Sequence, residues 1–157
     1  MAKPMAVFVL ASVVSATRGS CLQSSLRFGA SALAPQFSEV CCQTPQAFAE
    51  PSGSLDKVAF WQEVNEAAGT VTFFDSKCGI PLFEAPKGRS FEDFKQESEH
   101  HGWPSFREEE LVKSNIIVRP GGEVVSKCGT HLGHNLPDFS GNRYCIDLLC
   151  IAGNPSE

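Results

Sequence analysis

No apolar run in this 157-residue chain approaches the roughly 20 residues that span a bilayer, which excludes a single apolar crossing. Basic residues are in short supply: 13 Lys and Arg stand against 18 Asp and Glu, a formal net charge of -5. Phosphate binding needs a basic surface, so nucleic acid is excluded as a partner. No internal repeat is present, and up to Val40 the only acidic residue is Glu39. An even cysteine count is also lacking. Seven cysteines at irregular spacing fit thiol chemistry or metal binding better than a closed disulfide framework. The remainder, 42% hydrophobic and 20% charged, has the composition of one soluble domain.

Met5–Val14 is a short apolar run behind Lys3, and Val14-Ser15-Ala16 offers small residues where a signal peptidase would cut. Thr17–Phe37 is basic, hydroxylated and free of acid, as organelle transit peptides are. A signal followed by a transit-like segment is similar to the bipartite presequences of algae with complex plastids. The expectation is delivery to an organelle, a plastid first, with mitochondrion and secretion as alternatives. Cys21, Cys41 and Cys42 lie in or beside this segment and are expected to be removed or uninvolved. Gln43–Ser54 carries Pro45 and Pro51 among Ser, Ala and Gly, and reads as a linker. Residues 1–54 are thus assigned to presequence and linker, 55–152 to a folded domain and 153–157 to a tail.

Within the domain, Asp56 can cap a helix reaching about Ala68, with Trp61, Val64 and Ala68 on one face and Gly69 as its stop. Thr70–Phe74, β-branched and aromatic, reads as a strand, and Cys78–Phe83 turns at its Gly and Pro. Ser90–Glu99 reads as a second helix, with Ser90 and Asp93 near capping-box spacing. Gly102-Trp103-Pro104-Ser105-Phe106 is a rigid aromatic turn, and Glu108–Glu110 reads as a solvated acidic face. Asn115–Arg119 and Glu123–Cys128 alternate around Pro120-Gly121-Gly122, as hairpin strands do. Arg143–Ile151 is predicted as a final strand. The fold class is mainly β with one or two short helices.

Three pieces, in order, carry a resemblance: Cys78-Gly79-Ile80-Pro81-Leu82-Phe83, then Gly102-Trp103-Pro104-Ser105-Phe106, then His131-Leu132-Gly133-His134 followed by Arg143-Tyr144-Cys145-Ile146. Together they resemble the methionine sulfoxide reductase B family over roughly residues 70–150. The resemblance implies two antiparallel sheets and thiol-dependent reduction of the R epimer of methionine sulfoxide in oxidised proteins. It implies Cys145 as nucleophile, passing through a sulfenic acid. On a strand Arg143, Cys145 and Asp147 share one face, so a guanidinium about 7 Å away favours the reactive thiolate. His134, and less directly His131, match the pair used around the sulfoxide oxygen, since an imidazole can donate and recover a proton near neutral pH. Asp138 matches an acid that orients this cluster. Trp103 matches the indole against which the substrate methyl packs, and Phe139 could add to that pocket.

The chain departs from the family's pattern in five respects. Many members bind structural zinc through two Cys-x-x-Cys pairs, but Asp75-Ser76-Lys77-Cys78 and Val125-Ser126-Lys127-Cys128 each lack the first cysteine. Two thiolates and one carboxylate do not close a tetrahedral site, so zinc is not expected and Asp75, Cys78 and Cys128 read as remnants. In a zinc-bound relative the two matching sulfurs would lie roughly 3.8 Å apart, which implies that Cys78 and Cys128 are close enough to pair. His101 stands where members that recycle through an internal disulfide often carry the resolving cysteine. Cys150 is a poor substitute, since five residues along a strand is about 16 Å and an odd offset points to the other face. An external thiol such as thioredoxin, glutaredoxin or glutathione is therefore expected as reductant, with no tightly bound cofactor. Asp147 replaces the usual Asn. A carboxylate about 7 Å from Cys145 opposes Arg143, each contributing about 2 kcal/mol at an effective dielectric near 20. The Asp138–Arg143 connection is also shorter than usual and Phe83–Gly102 longer.

The expected function is that of a monomeric peptide-methionine (R)-S-oxide reductase acting on oxidised proteins, with no membrane or nucleic-acid partner. Two alternatives stand beside it: a catalytically weakened relative that binds oxidised methionine or a protein partner, and a small zinc-binding interaction module.

Overall fold

The structure is a computed structural model, and it describes Cys41, Phe48, residues 50–57 and residues 60–152. The presequence and tail readings on 1–40 and 153–157 lie outside the described residues, as do Cys21 and Cys42. The elements in chain order are α1 (Phe60–Glu63), β1 (Val71–Asp75), β2 (Pro81–Ala85), α2 (Phe91–His101), β3 (Ser105–Arg107), β4 (Ile116–Val118), β5 (Glu123–Ser126), β6 (His131–Asn135), β7 (Arg143–Ile146) and β8 (Ile151–Ala152). They form two antiparallel sheets, a three-stranded one in the order β2-β1-β8 and a five-stranded one in the order β3-β7-β6-β5-β4. The mainly β, two-sheet expectation is met. No helix among the described residues is long and apolar enough to cross a membrane.

The core is aromatic. Phe73, Phe83, Phe94 and Phe106 are fully buried, Phe83 stacked on Phe106 at 4.2 Å and Phe73 edge-on to Phe106 at 5.1 Å. Each such side chain removed from water contributes about 1.5–3 kcal/mol. Together they join β1 and β2 of the small sheet to β3 of the large one and to α2. That helix has its predicted capping box, with Ser90 Oγ accepting from Asp93 N and the Asp93 carboxylate accepting from Ser90 N.

Several local expectations are corrected. The helix expected over 56–68 is three short pieces, a 3-10 turn at Ser54–Lys57, α1, and a 3-10 turn at Glu66–Ala68. The Asn65 side chain accepts from Ala68 N and restarts the chain there, a local bond that competes with helix propagation and leaves Ala68 exposed. Cys78–Phe83 is a turn only in its first half. Pro81 opens β2, an edge strand where its missing N–H is tolerated. Glu110 is not solvated: it is buried and accepts from Arg89 Nη2 at 2.7 Å, Arg107 N at 2.7 Å and Lys87 N at 3.1 Å. The final strand stops at Ile146, and a 3-10 turn at Leu148–Cys150 separates it from β8.

Cysteine usage also differs from the open-thiol expectation. Cys78 and Cys128 are bonded, as their matched positions implied, with Cα atoms 6.5 Å apart. Cys41, expected to be uninvolved, is bonded to Cys150, expected to be mere packing, with Cα atoms 5.4 Å apart. Cys145 is the free cysteine among the described residues.

Candidate active site

Three adjacent strands place Cys145. In register it lies between Ser105 of β3 and His134 of β6, and directly opposed residues of an antiparallel pair share a face. The approach of β6 to β7 depends on Gly133, whose φ is 152°. A Cβ there would stand 2.1 Å from the Cys145 carbonyl oxygen, so only glycine lets these strands meet at the thiol.

The buried Cys145 sulfur has two polar neighbours, Arg143 Nη1 at 2.6 Å and Ser105 Oγ at 3.6 Å. Arg143 therefore shares the thiol's face as period-two alternation predicts, at hydrogen-bonding distance. Burial still pushes the thiol up, outweighing Ser105 and Arg143, which favour the thiolate. Asp138 accepts from Arg143 Nε at 3.2 Å and from Arg107 Nη2 at 2.9 Å. Its bond to Arg107 holds its carboxyl well below the usual range. Arg107 is in turn gripped by Glu97 of α2.

Asp147 is where the geometry corrects the sequence reading. The strand ends at Ile146, and the Asp147 carboxylate meets His131 Nε2 at 3.1 Å. On the other side of that ring, His131 Nδ1 meets Glu123 Oε1 at 3.1 Å. The expected counterweight to Arg143 is thus a hydrogen-bond partner of His131, and the carboxylate charge that raises the thiol is that of Glu97. All three members of the Glu123–His131–Asp147 cluster are buried. Burial would push His131 down, but the two carboxylates prevail and its affinity for a proton is raised. Glu123 responds in kind: burial opposes its charge, yet the bonds from His131 and Arg119 lower it. His134 is displaced the other way, lowered by burial first and by the His131 charge next. Its Nδ1 has no hydrogen-bond partner among the described residues, and its ring lies 5.6 Å from His131.

Trp103 follows α2 and is half-buried, with Nε1 donating to Glu50 O at 3.3 Å. Phe48 stacks on its indole at 4.2 Å and stands 5.3 Å from His134. Phe139 does not join this pocket. The Asp138–Gly141 turn, closed by hydrogen bonds at 2.9 and 3.0 Å, leaves it fully exposed.

The structural zinc that the resemblance raised does not fit the residues present. Donor atoms of Asp75, Cys78 and Cys128 lie within 4.8 Å of one another, but the two sulfurs are bonded to each other. Asp75 Oδ1 already accepts from Lys77 N, Cys78 N and Thr130 Oγ1. Three donors so engaged do not close a tetrahedral site.

Sequence reasoning missed Ser105, Glu123, Phe48 and Glu50. Ser105 stood inside a quoted motif, and Glu123 headed a predicted strand, where a buried carboxylate is itself a signal. Glu50 accepts from Leu148 N and Leu149 N at 2.8 and 2.9 Å, and burial pushes its carboxyl up to about 8. Nothing local in a proline-bearing linker announces such docking.

No family model matches the chain. It is 34% identical over 86 residues to "Peptide methionine sulfoxide reductase MsrB" of Pseudomonas savastanoi pv. phaseolicola, covering 52% of this chain and 53% of that protein. To the protein of the same name from Pseudomonas putida it is 31% identical over 90 residues, covering 51% and 63%. To "Methionine-R-sulfoxide reductase B2, mitochondrial" of Danio rerio it is 37% identical over 73 residues, covering 36% and 41%. The chain spans about half the length of the curated relatives it matches. With three motifs in the family's order, two antiparallel sheets that carry Cys145 beside Arg143 and His134, and these relatives at 31–37% identity, the chain is similar to methionine sulfoxide reductases of the B type over about half its length.

Proposed function

We propose that the chain is a peptide-methionine (R)-S-oxide reductase that repairs oxidised proteins. The observation that carries this reading is Cys145, the free thiol among the described residues, with Arg143 2.6 Å from its sulfur and His134 opposite it in register. The Cys145 sulfur attacks the sulfoxide sulfur, and the thiol proton reaches the sulfoxide oxygen by way of His134. The sulfur–oxygen bond breaks, the oxygen ends on the cysteine as a sulfenic acid, and methionine leaves. Thiol and sulfoxide together supply every atom of both products.

Arg143 stabilises the attacking thiolate, and Asp138 fixes the guanidinium that does so. His131, whose proton affinity Glu123 and Asp147 raise, acts on His134 through its charge when protonated. Trp103 offers a flat apolar face to the substrate methyl. The other described cysteines are paired, so an external thiol, from thioredoxin, glutaredoxin or glutathione, condenses with the sulfenic acid and releases water; a second thiol then restores Cys145. The chain acts as a monomer in an organelle, a plastid first.

A second reading, a weakened relative that binds oxidised methionine with little turnover, is favoured by one observation: burial raises the thiol that must ionise. The two are separated by assaying N-terminally blocked R and S methionine sulfoxide with dithiothreitol. R-selective turnover that disappears in Cys145→Ser supports the reductase; its absence in the parent protein sinks it.

A further inference from the structure

The described residues ahead of α1 are seated against the site by several anchors. Cys41 is bonded to Cys150, just past Cys145 in the chain. The Glu50 carboxylate receives the Leu148 and Leu149 N–H groups. Ser52 Oγ donates to His101 O at 3.3 Å, and Gly53 N to Gly102 O at 2.9 Å. Gly102 is shaped for this contact: a Cβ on it would lie 1.9 Å from Ser52 Oγ and 2.7 Å from Gly53 N. Its absent side chain admits Ser52 and Gly53.

Phe48 lies in sequence between two of these anchors, stacked on Trp103 and close to His134. A ring near both is on the His134 side of the indole. That is the face the reductase reading gives to the substrate methyl, and two apolar bodies cannot share it.

We propose that Cys41, Phe48 and Glu50 form a redox-released plug: while the Cys41–Cys150 bond is closed Phe48 covers Trp103, and reduction of that bond by a dithiol admits the oxidised methionine. The inference rests on the reductase reading. In the releasing step the dithiol gives two electrons and two protons, the sulfur–sulfur bond breaks, and Cys41 and Cys150 become thiols while the dithiol closes to its own disulfide. Both cysteines are buried, so exchange waits on local opening around them and is slower than at an exposed disulfide. A plug closed in about nine molecules of ten lowers apparent substrate affinity on the order of tenfold.

The test uses the full chain with Cys145 reduced and the other disulfides closed, and follows single-turnover formation of methionine from blocked R sulfoxide without reductant. Cys41→Ser and Phe48→Ala are each expected to react on the order of tenfold faster than the parent at low substrate. In parallel, acrylamide quenching of Trp103, read in a Trp61→Phe background, is expected to rise in Cys41→Ser and on dithiol treatment. Quenching reports the plug whether or not turnover occurs, so a failed reductase reading is told apart from a failed plug. Unchanged quenching overturns the proposal, and so does increased quenching with an unchanged rate in an active protein.

Discussion

Cys145 and His134 face each other across β6 and β7 with their proton affinities displaced in opposite directions, the thiol raised and the imidazole lowered. At neutral pH the resting pair is thiol and neutral imidazole. The reactive pair, thiolate and imidazolium, holds the same number of protons, so its share does not change with pH between the two limits. kcat/KM is therefore expected to be flat across neutrality. It falls on the acid side only below the ordinary histidine range, as His134 gains a second proton while the thiol keeps its own. It falls on the alkaline side only above the ordinary thiol range, as the last shared proton leaves. A rate that climbs steadily through the ordinary thiol range would contradict this pairing. Asp147 acts one residue further away than its place after Cys145 and Ile146 predicts. Asp147→Asn removes one of the two carboxylates on His131, so NMR titration of that ring is expected to show a lower pKa than in the parent. An unchanged titration would mean that Glu123 alone holds the charge.

Among the elements, β6 is where the site is made. Gly133→Ala places a methyl against the Cys145 carbonyl, where a Cβ would stand at 2.1 Å. Backbone on both sides cannot yield cheaply, so the substitution is expected to cost about 3 kcal/mol in denaturant melts and to slow turnover by parting His134 from Cys145. A variant as stable and as fast as the parent would refute the close approach. β6 itself was not legible in the sequence, because its residues, His131–Asn135, lack the β-branched, alternating pattern of a strand. The β4–β5 hairpin and the α2 capping box were legible, since turn glycines and a Ser/Asp pair are local signals. The break at Asp147 was not. An apolar stretch such as Leu148-Leu149-Cys150-Ile151 reads equally as strand or as buried turn, and only the docked Glu50 carboxylate, far away in sequence, decides it.

For the molecule as a whole, the motifs carried the family resemblance and, through it, the two-sheet fold, while the Cys145–Arg143 contact follows from residues close in sequence. The ion cluster around His131 and the contacts of Cys41, Phe48 and Glu50 were hidden because each depends on partners many residues apart. The Cys78–Cys128 bond stands where the donors no longer make a zinc site, and it joins residues 50 apart in sequence. By chain entropy it stabilises the fold by about 4 kcal/mol. The double substitution Cys78→Ser and Cys128→Ser is expected to lower the denaturation midpoint accordingly, and an unchanged midpoint would remove the bond from the fold's support. The central claim is that Cys145 takes the oxygen from the R sulfoxide. It is tested by treating the dithiol-reduced, desalted protein with blocked R or S methionine sulfoxide, trapping sulfenic acid, and mapping the adduct by peptide mass spectrometry. The expected result is methionine and trapped Cys145 in equal amounts from the R epimer, with neither from the S epimer. Methionine formed without modification of Cys145, or equal yields from both epimers, would contradict it.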